Sequence, residues 1–502
     1  MFELDEWERA WRARLPEGLP ETVVEGSFGI MASLSTESPD VLALLLDVFT
    51  DLHRGSTRTR LGPSFSLPGR DTSKGKGPLV EAGLLVDLGE WVAGATVHRQ
   101  ERSIQEALRA RAHRTLDTDQ GARMRSAVDR GGALGDDQRA ALEKACQAST
   151  LAIVGGPGTG KTWLTALIVE AWLEAGLPSR RIACLTPTGK ASQRLGEALG
   201  ALPVPSPQTL HRMLGWGSRS RTRESEPLPV DAVLVDEASM VDLDLMERLL
   251  LQLDPERLVL VGDPAQLPSV AAGAPFRDLV EHHPEWVARL EVGRRQNDPL
   301  TRFARAVAEG QAEPVRTETL PPPEAEGVFL APFDPGLLES WARTRLGRPG
   351  QQVLTVLRGG GNGAERTNQR LTSWRRSADP GALHPEGQPL MVTRNDYGRR
   401  LFNGEVGRVE GGQVVFERAQ EKRRFPMGSL ALTPADAITV HKAQGSEFES
   451  VLLLLPDRPH PLVDRALLYT AVTRARRQVV IVGGEETWRA GLAATRHRRT
   501  SA

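Results

Sequence analysis

A glycine-rich loop between an apolar strand and a helix constrains this chain more than any other feature. The segment GGPGTGKT (155–162) fits the phosphate-binding pattern of Gly, four residues, then Gly-Lys-Thr. It follows the apolar run LAIVGG (151–156) and opens a helical stretch, WLTALIVEAWLEAG (163–176). Both flanks therefore favour a P-loop over the alternative, a chance glycine-rich turn.

Each part of this loop has an expected role. Its glycines let successive backbone N–H groups point inward around a phosphate, and the helix N-terminus adds partial positive charge. Lys161 is expected to reach the β- and γ-phosphates, and the Thr162 hydroxyl to ligate Mg²⁺. The predicted nucleotide-binding set in this loop is Gly155, Gly156, Pro157, Gly158, Thr159, Gly160, Lys161 and Thr162.

Short apolar strands alternate with helical stretches in two parts of the chain, which predicts two α/β units with parallel sheets. The strands of the first part are LAIVGG, RIACLTPT (181–188), AVLVDE (232–237) and RLVLVGD (257–263). Those of the second are QQVLTVL (351–357), PLMVTR (389–394), AITVH (437–441), VLLLLP (451–456) and QVVIVGG (478–484). A Pro- and Glu-rich stretch, 313–327, predicts a surface linker, and β-like runs around a Gly-Gly turn predict a small β insertion at about 399–432.

Residues 1–130 show no such alternation and are expected to form a mainly helical docking domain. Ser38 is the candidate N-cap of a helix that ends at Gly55. The Gly-, Pro- and Ser-rich stretch 62–78 predicts a loop. A second helix is expected to begin at Ser103 with a capping box.

Charge and cysteine content exclude several classes of protein. The 502 residues include 63 Lys and Arg and 64 Asp and Glu, a formal net charge of −1. A chain-wide basic coat is excluded, so any nucleic-acid contact must come from local grooves. Cys146 and Cys184 are too few for a disulfide framework or a zinc site. The charged N-terminus is not a signal peptide and the apolar runs are too short to span a bilayer, so a cytoplasmic protein without membrane contact is expected.

Acidic residues at the end of another strand complement the P-loop. In VLVDEAS (233–239), Asp236 is expected to hold Mg²⁺ through its water shell and Glu237 to polarise an attacking water. Such a pair alone is more often a solvated strand end, but the P-loop favours the functional interpretation. Gln266, in GDPAQLPSV (262–270), can contact both the γ-phosphate and the water; the alternative is a polar turn capped by Asp263.

An ordered set of motifs resembles a known family. In chain order the motifs are GGPGTGKT, TPTGKASQRL (186–195), TLHRML (209–214), VDEASMVD (235–242), GDPAQLPSV, NDYGRRLFNGEVG (395–407), TVHKAQGSEF (439–448) and LLYTAVTRARRQVVIVG (467–483). Together they resemble the superfamily 1 DNA helicases, and most closely the RecD family, the alpha subunit of exonuclease V (RecBCD). The resemblance covers about residues 131–484. It implies two RecA-like lobes, 131–298 and 299–502, with ATP and Mg²⁺ between them and an SH3-like β insertion in the second.

The resemblance also assigns residues to the nucleotide site. Gln138, in GDDQRAAL, is similar to the adenine-recognising glutamine upstream of the P-loop. Arg295 is similar to the arginine that reaches the phosphates from the linking motif, although Arg294 beside it leaves the register open. Arg474 is similar to the arginine finger of the second lobe; its alternative, shared with Arg476, is a solvated basic helix end. The expected catalytic set is Lys161, Glu237, Gln266, Arg295 and Arg474.

A motor that moves along DNA must hold the backbone with hydroxyls, amides and cations rather than read bases. By resemblance, three motifs supply such groups, and the candidate DNA-binding residues are Thr186, Thr188, Lys190, Thr209, His211, Thr439, His441 and Lys442. His211 and His441 could instead be structural histidines, and Gln444 and Glu447 could face ATP or DNA. The Arg-rich interval 215–229 is either a strand-separating hairpin or a disordered surface loop.

The resemblance implies an ATP-dependent DNA helicase that moves 5′→3′ and acts on single-stranded and tailed double-stranded DNA. About 130 residues precede the motor, a length that resembles the RecD subunit, so RecB and RecC are expected partners in repair and recombination. One alternative is a stand-alone RecD-like helicase. Another is a P-loop ATPase used as a binding switch, which would leave Arg474 and the second-lobe motifs unexplained.

Overall fold

The computed structural model describes residues 19–112, 134–215, 229–291, 298–345, 350–378, 383–418 and 421–495. Within these ranges, positions 35, 37, 69, 397 and 400 are not described. Outside them, the single positions 12, 15, 114, 116 and 348 are described. Two six-stranded parallel sheets, one five-stranded antiparallel sheet and one three-stranded antiparallel sheet account for the strands in this part of the chain. The predicted α/β class is confirmed. In the same residues, no helix has both the length and the apolar composition needed to cross a bilayer.

The N-terminal region combines helices with a small sheet. Its elements are α1 Glu21–Ser33, α2 Pro39–His53, β1 Arg58–Arg60, a 3₁₀ turn Thr72–Gly75, α3 Lys76–Glu81, β2 Leu85–Asp87, β3 Trp91–Gly94 and α4 Ala95–Ala112. The predicted cap of α2 is confirmed, because the Ser38 side chain accepts the N–H of Val41 and Gly55 follows the helix with a φ of 87°. The sheet, in the order β1-β3-β2, is an addition to the predicted helices.

Two predictions in this region were wrong in detail. Helix α4 begins at Ala95, directly after strand β3, so Ser103 lies inside the helix and caps nothing. The stretch 62–78 is not all loop, because the 3₁₀ turn lies in it and α3 begins before its end. The polar composition of both stretches concealed these elements, which are stabilised by tertiary packing rather than by local sequence preference: the 3₁₀ turn and α3 pack on α2, and α4 packs on the helix Leu243–Gln252.

Helix α4 joins the N-terminal region to the first α/β unit. Ile104 and Leu108 belong to the core of that unit. Arg111 is 1% exposed, and its guanidinium donates to Thr150 Oγ1 at 2.9 Å and to the Ser149 carbonyl at 2.8 Å. These bonds fix the C-terminal end of α4 beside the start of the strand that leads into the P-loop.

The first α/β unit, which we call lobe 1, is a parallel sheet in the order β6-β5-β7-β8-β4-β9. Its strands are β4 Thr150–Gly155, β5 Ile182–Thr186, β6 Gln208–Thr209, β7 Ala232–Val235, β8 Arg257–Gly262 and β9 Val287–Leu290. Every residue of β4, β5, β7 and β8 is buried, because helices cover both faces. Pairing of β4 and β7 with β8 places the ends of all three at one edge, where the predicted nucleotide motifs follow.

The helices of lobe 1 carry the remaining motifs of the first half. They are α5 Asp136–Gln147, α6 Lys161–Glu174, α7 Gly189–Leu199, α8 Leu210–Met213, α9 Leu243–Gln252 and α10 Pro275–His282, with 3₁₀ turns at Ser179–Arg181, Ala238–Met240 and Pro284–Trp286. Thr188, Thr209 and Asp242 cap α7, α8 and α9 with their side-chain oxygens.

The second α/β unit, lobe 2, is a parallel sheet in the order β10-β11-β20-β19-β12-β18. Its strands are β10 Val315–Arg316, β11 Gly327–Ala331, β12 Gln351–Thr355, β18 Ala437–Thr439, β19 Phe448–Leu454 and β20 Ala475–Val482. Its helices are α11 Pro299–Glu309, α12 Pro335–Arg345, α13 Ala364–Ala378, α14 Arg465–Val472 and α15 Glu485–Ala493, with a 3₁₀ turn at His441–Ala443. The predicted linker 313–327 contains the edge strand β10.

The β insertion of lobe 2 is a five-stranded antiparallel sheet in the order β16-β15-β14-β13-β17. Its strands are β13 Pro389–Val392, β14 Val406–Glu410, β15 Gln413–Arg418, β16 Glu421–Pro426 and β17 Leu432–Pro434, with a 3₁₀ turn at Met427–Ser429. The run 389–394 was expected in the parallel sheet, and this was wrong, because β13 pairs antiparallel with β14 and β17. The insertion is larger than 399–432 for that reason, and its likeness to an SH3 fold stays a prediction.

Candidate active site

The P-loop joins β4 to α6 as the sequence predicts. Gly158 and Gly160 have φ angles of 73° and 81°, a conformation that strains residues with a Cβ. A Cβ added at Gly155 would lie 2.5 Å from Thr159 Oγ1, so this position is also closed to other residues. Lys161 Nζ donates to the carbonyl oxygen of Gly155 at 2.6 Å. The turn and its ammonium group fit a nucleotide phosphate.

The acidic pair lies beside the P-loop at the end of β7. Asp236 is buried, and its Oδ1 accepts the N–H of Glu237 at 2.8 Å. Burial, and then the charge of Glu237, raises the pKa of Asp236 to about 6. Glu237 has a left-handed backbone, with φ 56° and ψ 38°, a local strain of the kind that collects at functional sites.

This carboxylate pair fits a divalent cation, whose charge would offset both side chains. In the described ranges no cluster of three or more His, Cys, Asp or Glu side chains could hold a metal alone. The usual Mg²⁺ site of nucleotide enzymes needs no such cluster, because one or two carboxylates, a hydroxyl, waters and phosphate oxygens share the coordination. Thr162, at the second position of α6, is the hydroxyl available here.

Gln266 and Arg474 meet between the two lobes. Gln266 follows β8 in lobe 1; its Nε2 donates to Asp263 Oδ2 at 3.1 Å and its Oε1 accepts from Arg474 Nη2 at 3.2 Å. Arg474 of lobe 2 is 4% exposed and also donates to the carbonyls of Thr470 (3.1 Å) and Ser446 (3.2 Å). Burial lowers the pKa of Arg474, and the charge of Glu237 opposes that shift.

Arg476 is solvated, as the alternative interpretation expects, but it lies at the start of strand β20 and not at a helix end. Its side chain is exposed and pairs with Glu447 at 2.8 Å and with Glu449 at 3.6 Å. Glu447 also pairs with Arg194 of lobe 1 at 3.4 Å. Gln444 is buried and donates to the carbonyl of Leu267 at 3.1 Å. Both residues whose orientation the sequence left open therefore contact neighbouring protein groups.

Gln138 forms a hydrogen bond with the backbone of the P-loop. Its Nε2 donates to the Thr159 carbonyl at 2.8 Å, and its Oε1 accepts the N–H of Gly135 at 3.2 Å. The amide therefore ties the start of α5 to the phosphate loop, and its predicted contact with adenine stays a proposal. Arg295, like Arg294 beside it, lies outside the described residues, and so does the interval 216–228 that contains the predicted hairpin.

The predicted DNA-binding residues fall into two groups. Thr186 is buried, and its hydroxyl bonds with Ser192 Oγ and the Thr188 carbonyl, so it holds the turn together and is not placed to touch DNA. The others lie at least partly exposed at the ends of strands or in the first turns of helices: Thr188, Lys190, Thr209, His211, Thr439, His441 and Lys442. Burial lowers the pKa of Lys190 to about 8, and the charge of Arg194 adds to the shift.

Sequence reasoning missed the residues that join the lobes. Arg194 Nη1 donates to the Gly445 carbonyl at 2.9 Å, and Thr470 Oγ1 accepts the N–H of Leu267 at 2.8 Å. Tyr469 is buried, and its hydroxyl donates to Asp263 Oδ2 at 2.8 Å. Membership of the quoted motifs was the only signal for Arg194, Tyr469 and Thr470, since nothing local shows a partner more than 200 residues away.

Comparisons with known proteins agree with this geometry. A family model described as an AAA domain matches residues 133–320, and one described as a UvrD-like helicase C-terminal domain matches residues 434–482. The protein named RecBCD enzyme subunit RecD from Mycobacterium tuberculosis (strain ATCC 25618 / H37Rv) is 36% identical over 409 residues, which cover 71% of this chain and 71% of that protein. The chain belongs to the RecD family.

Two further proteins are similar to this RecD-family chain. The protein named ATP-dependent RecD2 DNA helicase from Deinococcus radiodurans is 33% identical over 389 residues, which cover 74% of this chain and 52% of that protein. The crystal structure of Pif1 helicase from Candida albicans aligns with a TM-score of 0.46 and 17% identity, over 72% of this chain and 97% of that one.

Proposed function

We propose that this RecD-family chain is an ATP-dependent DNA helicase that moves 5′→3′ along single-stranded DNA. The observation that carries the proposal is the bond between Arg474 of lobe 2 and Gln266 of lobe 1, beside the P-loop and the acidic pair. A site completed by both lobes couples nucleotide state to lobe closure, which a translocating motor needs. A binding switch made of one lobe does not need this contact.

The proposed chemistry is hydrolysis of the γ-phosphate of ATP. The P-loop amides and Lys161 hold the phosphates, Thr162 and Asp236 would hold Mg²⁺, and Glu237 polarises the attacking water. The metal would supply neutralising charge at the phosphate oxygens. Gln266 orients the water, and Arg474 stabilises negative charge that develops in the transition state. Arg295 is proposed to make a second arginine contact with the phosphates.

The proposed DNA path crosses both lobes. It uses Thr188, Lys190, Thr209 and His211 of lobe 1 and Thr439, His441 and Lys442 of lobe 2. Hydroxyls and cations at strand ends suit a sugar-phosphate backbone and give no sequence readout. We propose the bounds 1–130, 131–298 and 299–502 for the N-terminal domain and the two lobes, with helix α4 as the part of the N-terminal domain that docks on lobe 1.

We further propose that the chain acts with RecB and RecC in double-strand break repair. Support comes from its 36% identity, over 71% of both chains, to a protein named as a RecBCD subunit. A stand-alone helicase is the second candidate, since the Deinococcus radiodurans relative is named as an ATP-dependent DNA helicase and not as a RecBCD subunit.

Unwinding by the purified chain tests the proposal. Two duplexes, one with a 5′ and one with a 3′ single-stranded tail, are compared with and without ATP, and Lys161→Ala serves as the inactive control. ATP-dependent unwinding of the 5′-tailed duplex alone supports the motor and its polarity and favours a stand-alone enzyme. ATP hydrolysis stimulated by single-stranded DNA without unwinding supports a motor that needs its partner subunits. Unwinding from the 3′ tail, or no stimulated hydrolysis, contradicts the proposal.

A further inference from the structure

Tyr469 contacts the nucleotide lobe from the opposite side of the cleft. It lies on α14 of lobe 2, is 4% exposed, and its hydroxyl donates to Asp263 Oδ2 of lobe 1 at 2.8 Å. Burial and the neighbouring Asp263 charge raise the pKa of Tyr469, so the phenol keeps its proton and stays a donor.

Asp263 links Tyr469 to Gln266, because it accepts a hydrogen bond from each. Its Oδ2 accepts both the Tyr469 hydroxyl and Gln266 Nε2, and its Oδ1 accepts the N–H of Ala265 at 3.1 Å. Arg474 has only donors, so it requires the oxygen of the Gln266 amide on its side. Asp263, which accepts, requires the amide nitrogen on the other. The Arg474 contact from lobe 2 and the Asp263 contact within lobe 1 therefore select the same orientation of the Gln266 amide.

The Tyr469 hydroxyl also lies over the P-loop. A Cβ added at Gly156 would be 3.3 Å from Tyr469 Oη, so this glycine leaves room for the phenol. Leu267 is held in the same way, because its N–H donates to Thr470 Oγ1. The C-terminal end of α14 and the residues directly after it thus hold the loop 263–267 at three points, through Tyr469 and Thr470 of the helix and Arg474 beyond it.

We infer that Tyr469 is a positioning residue, which orients Gln266 through Asp263 when the lobes are together. Separation of the lobes breaks the Tyr469–Asp263 bond and the Gln266–Arg474 bond at the same time and leaves the Gln266 amide only its bond to Asp263, so both ends of the amide are held only in the closed arrangement. Hydrolysis is then confined to the closed state. This inference rests on the proposed ATPase function and adds a residue to it.

The Tyr469→Phe variant tests the inference, since it removes one hydroxyl and keeps the ring in the core. ATP hydrolysis by the full chain is measured with saturating single-stranded DNA, alone and in the Gln266→Ala background. We expect kcat to fall about tenfold and KM for ATP to change less than about twofold. In the Gln266→Ala background, Tyr469→Phe should have no further effect, because both act through one group. Asp263→Ala removes the carboxylate that accepts from both Tyr469 and Gln266, so it should lower kcat by a similar factor.

Thermal unfolding of each variant identifies a folding defect, and nucleotide binding measured directly separates affinity from turnover. Unchanged kcat in Tyr469→Phe, or an equal fold-loss in the Gln266→Ala background, overturns the inference while leaving the ATPase proposal intact. If the wild-type chain shows no hydrolysis stimulated by DNA, the proposed function fails first.

Discussion

Arg474 Nη2 of lobe 2 lies 3.2 Å from Gln266 Oε1 of lobe 1, and both side chains are buried. These residues are separated by 208 positions in the chain. Burial of a charged guanidinium costs free energy unless opposite charges lie nearby, and here Glu237 and Glu447 supply them. The contact therefore joins the two lobes at the point where a γ-phosphate would be cleaved.

Lys161→Ala should abolish ATP hydrolysis and leave single-stranded DNA binding intact. The ammonium group lies in the P-loop, within 2.8 Å of two of its carbonyl oxygens, and Lys161 is not among the proposed DNA-binding residues. We expect kcat to fall by about 100-fold or more. Lys74→Ala, at an exposed position of the N-terminal region, is the matched control. Wild-type turnover in Lys161→Ala would refute the phosphate-binding role.

Asp236→Asn should stabilise the fold without nucleotide while abolishing hydrolysis. The folded-state pKa of Asp236 is raised from 3.8 to about 6, so its ionisation costs stability as pH rises between these values, and the penalty is constant above them. The gain in unfolding free energy should be on the order of 3 kcal/mol at neutral pH and vanish below about pH 3. Asp334→Asn, at an exposed position, is the control for chemical denaturation. A gain independent of pH would contradict the burial argument.

Lys442→Ala should weaken single-stranded DNA binding to the same degree for all sequences. Lys442 is exposed beside Thr439, whose Oγ1 accepts its backbone N–H. A phosphate contact predicts that the slope of log Kd against log salt falls by roughly 1. Lys422→Ala is the matched control, because it removes an exposed lysine of the β insertion that pairs with Glu417. An unchanged slope in Lys442→Ala, or an equal change in both variants, would remove Lys442 from the DNA path.

Arg111→Ala should destabilise lobe 1 without changing the nucleotide site. The guanidinium is buried and satisfies the Ser149 carbonyl and the Thr150 hydroxyl, which the variant leaves without their partner. We expect a loss of about 3 kcal/mol in unfolding free energy, with KM for ATP unchanged in the folded fraction. Arg109→Ala, on the exposed face of the same helix, should change stability by less than about 0.5 kcal/mol. Equal stability of both variants would contradict an anchoring role for Arg111.

The sequence predicted the P-loop, the acidic pair and four of the six strands of each parallel sheet, because each depends on a local pattern; it missed the strands β6, β9, β10 and β11. It misplaced the run 389–394, whose four apolar residues suit a parallel strand but pair antiparallel with β14 and β17. It also missed β1 to β3, since strands of three or four residues carry little periodicity.

Local motifs also singled out the candidate site residues, but they do not show the contacts between the lobes. Thr186 shows the limit of a motif as evidence, because the threonine is in the expected segment but its hydroxyl faces inward to Ser192. Tyr469 and Arg194 show the converse, since their partners Asp263 and Gly445 become neighbours only after both lobes fold.

ATP binding and single-turnover hydrolysis in the Arg474→Ala variant test the central claim most directly, with DNA present and Arg476→Ala as the control. If Arg474 completes the site of lobe 1, the variant binds ATP with nearly wild-type affinity and hydrolyses it about 1,000-fold more slowly, while Arg476→Ala keeps its rate within a few-fold. Loss of ATP binding with a normal rate per bound nucleotide in Arg474→Ala would contradict the claim that hydrolysis depends on an arginine from the other lobe.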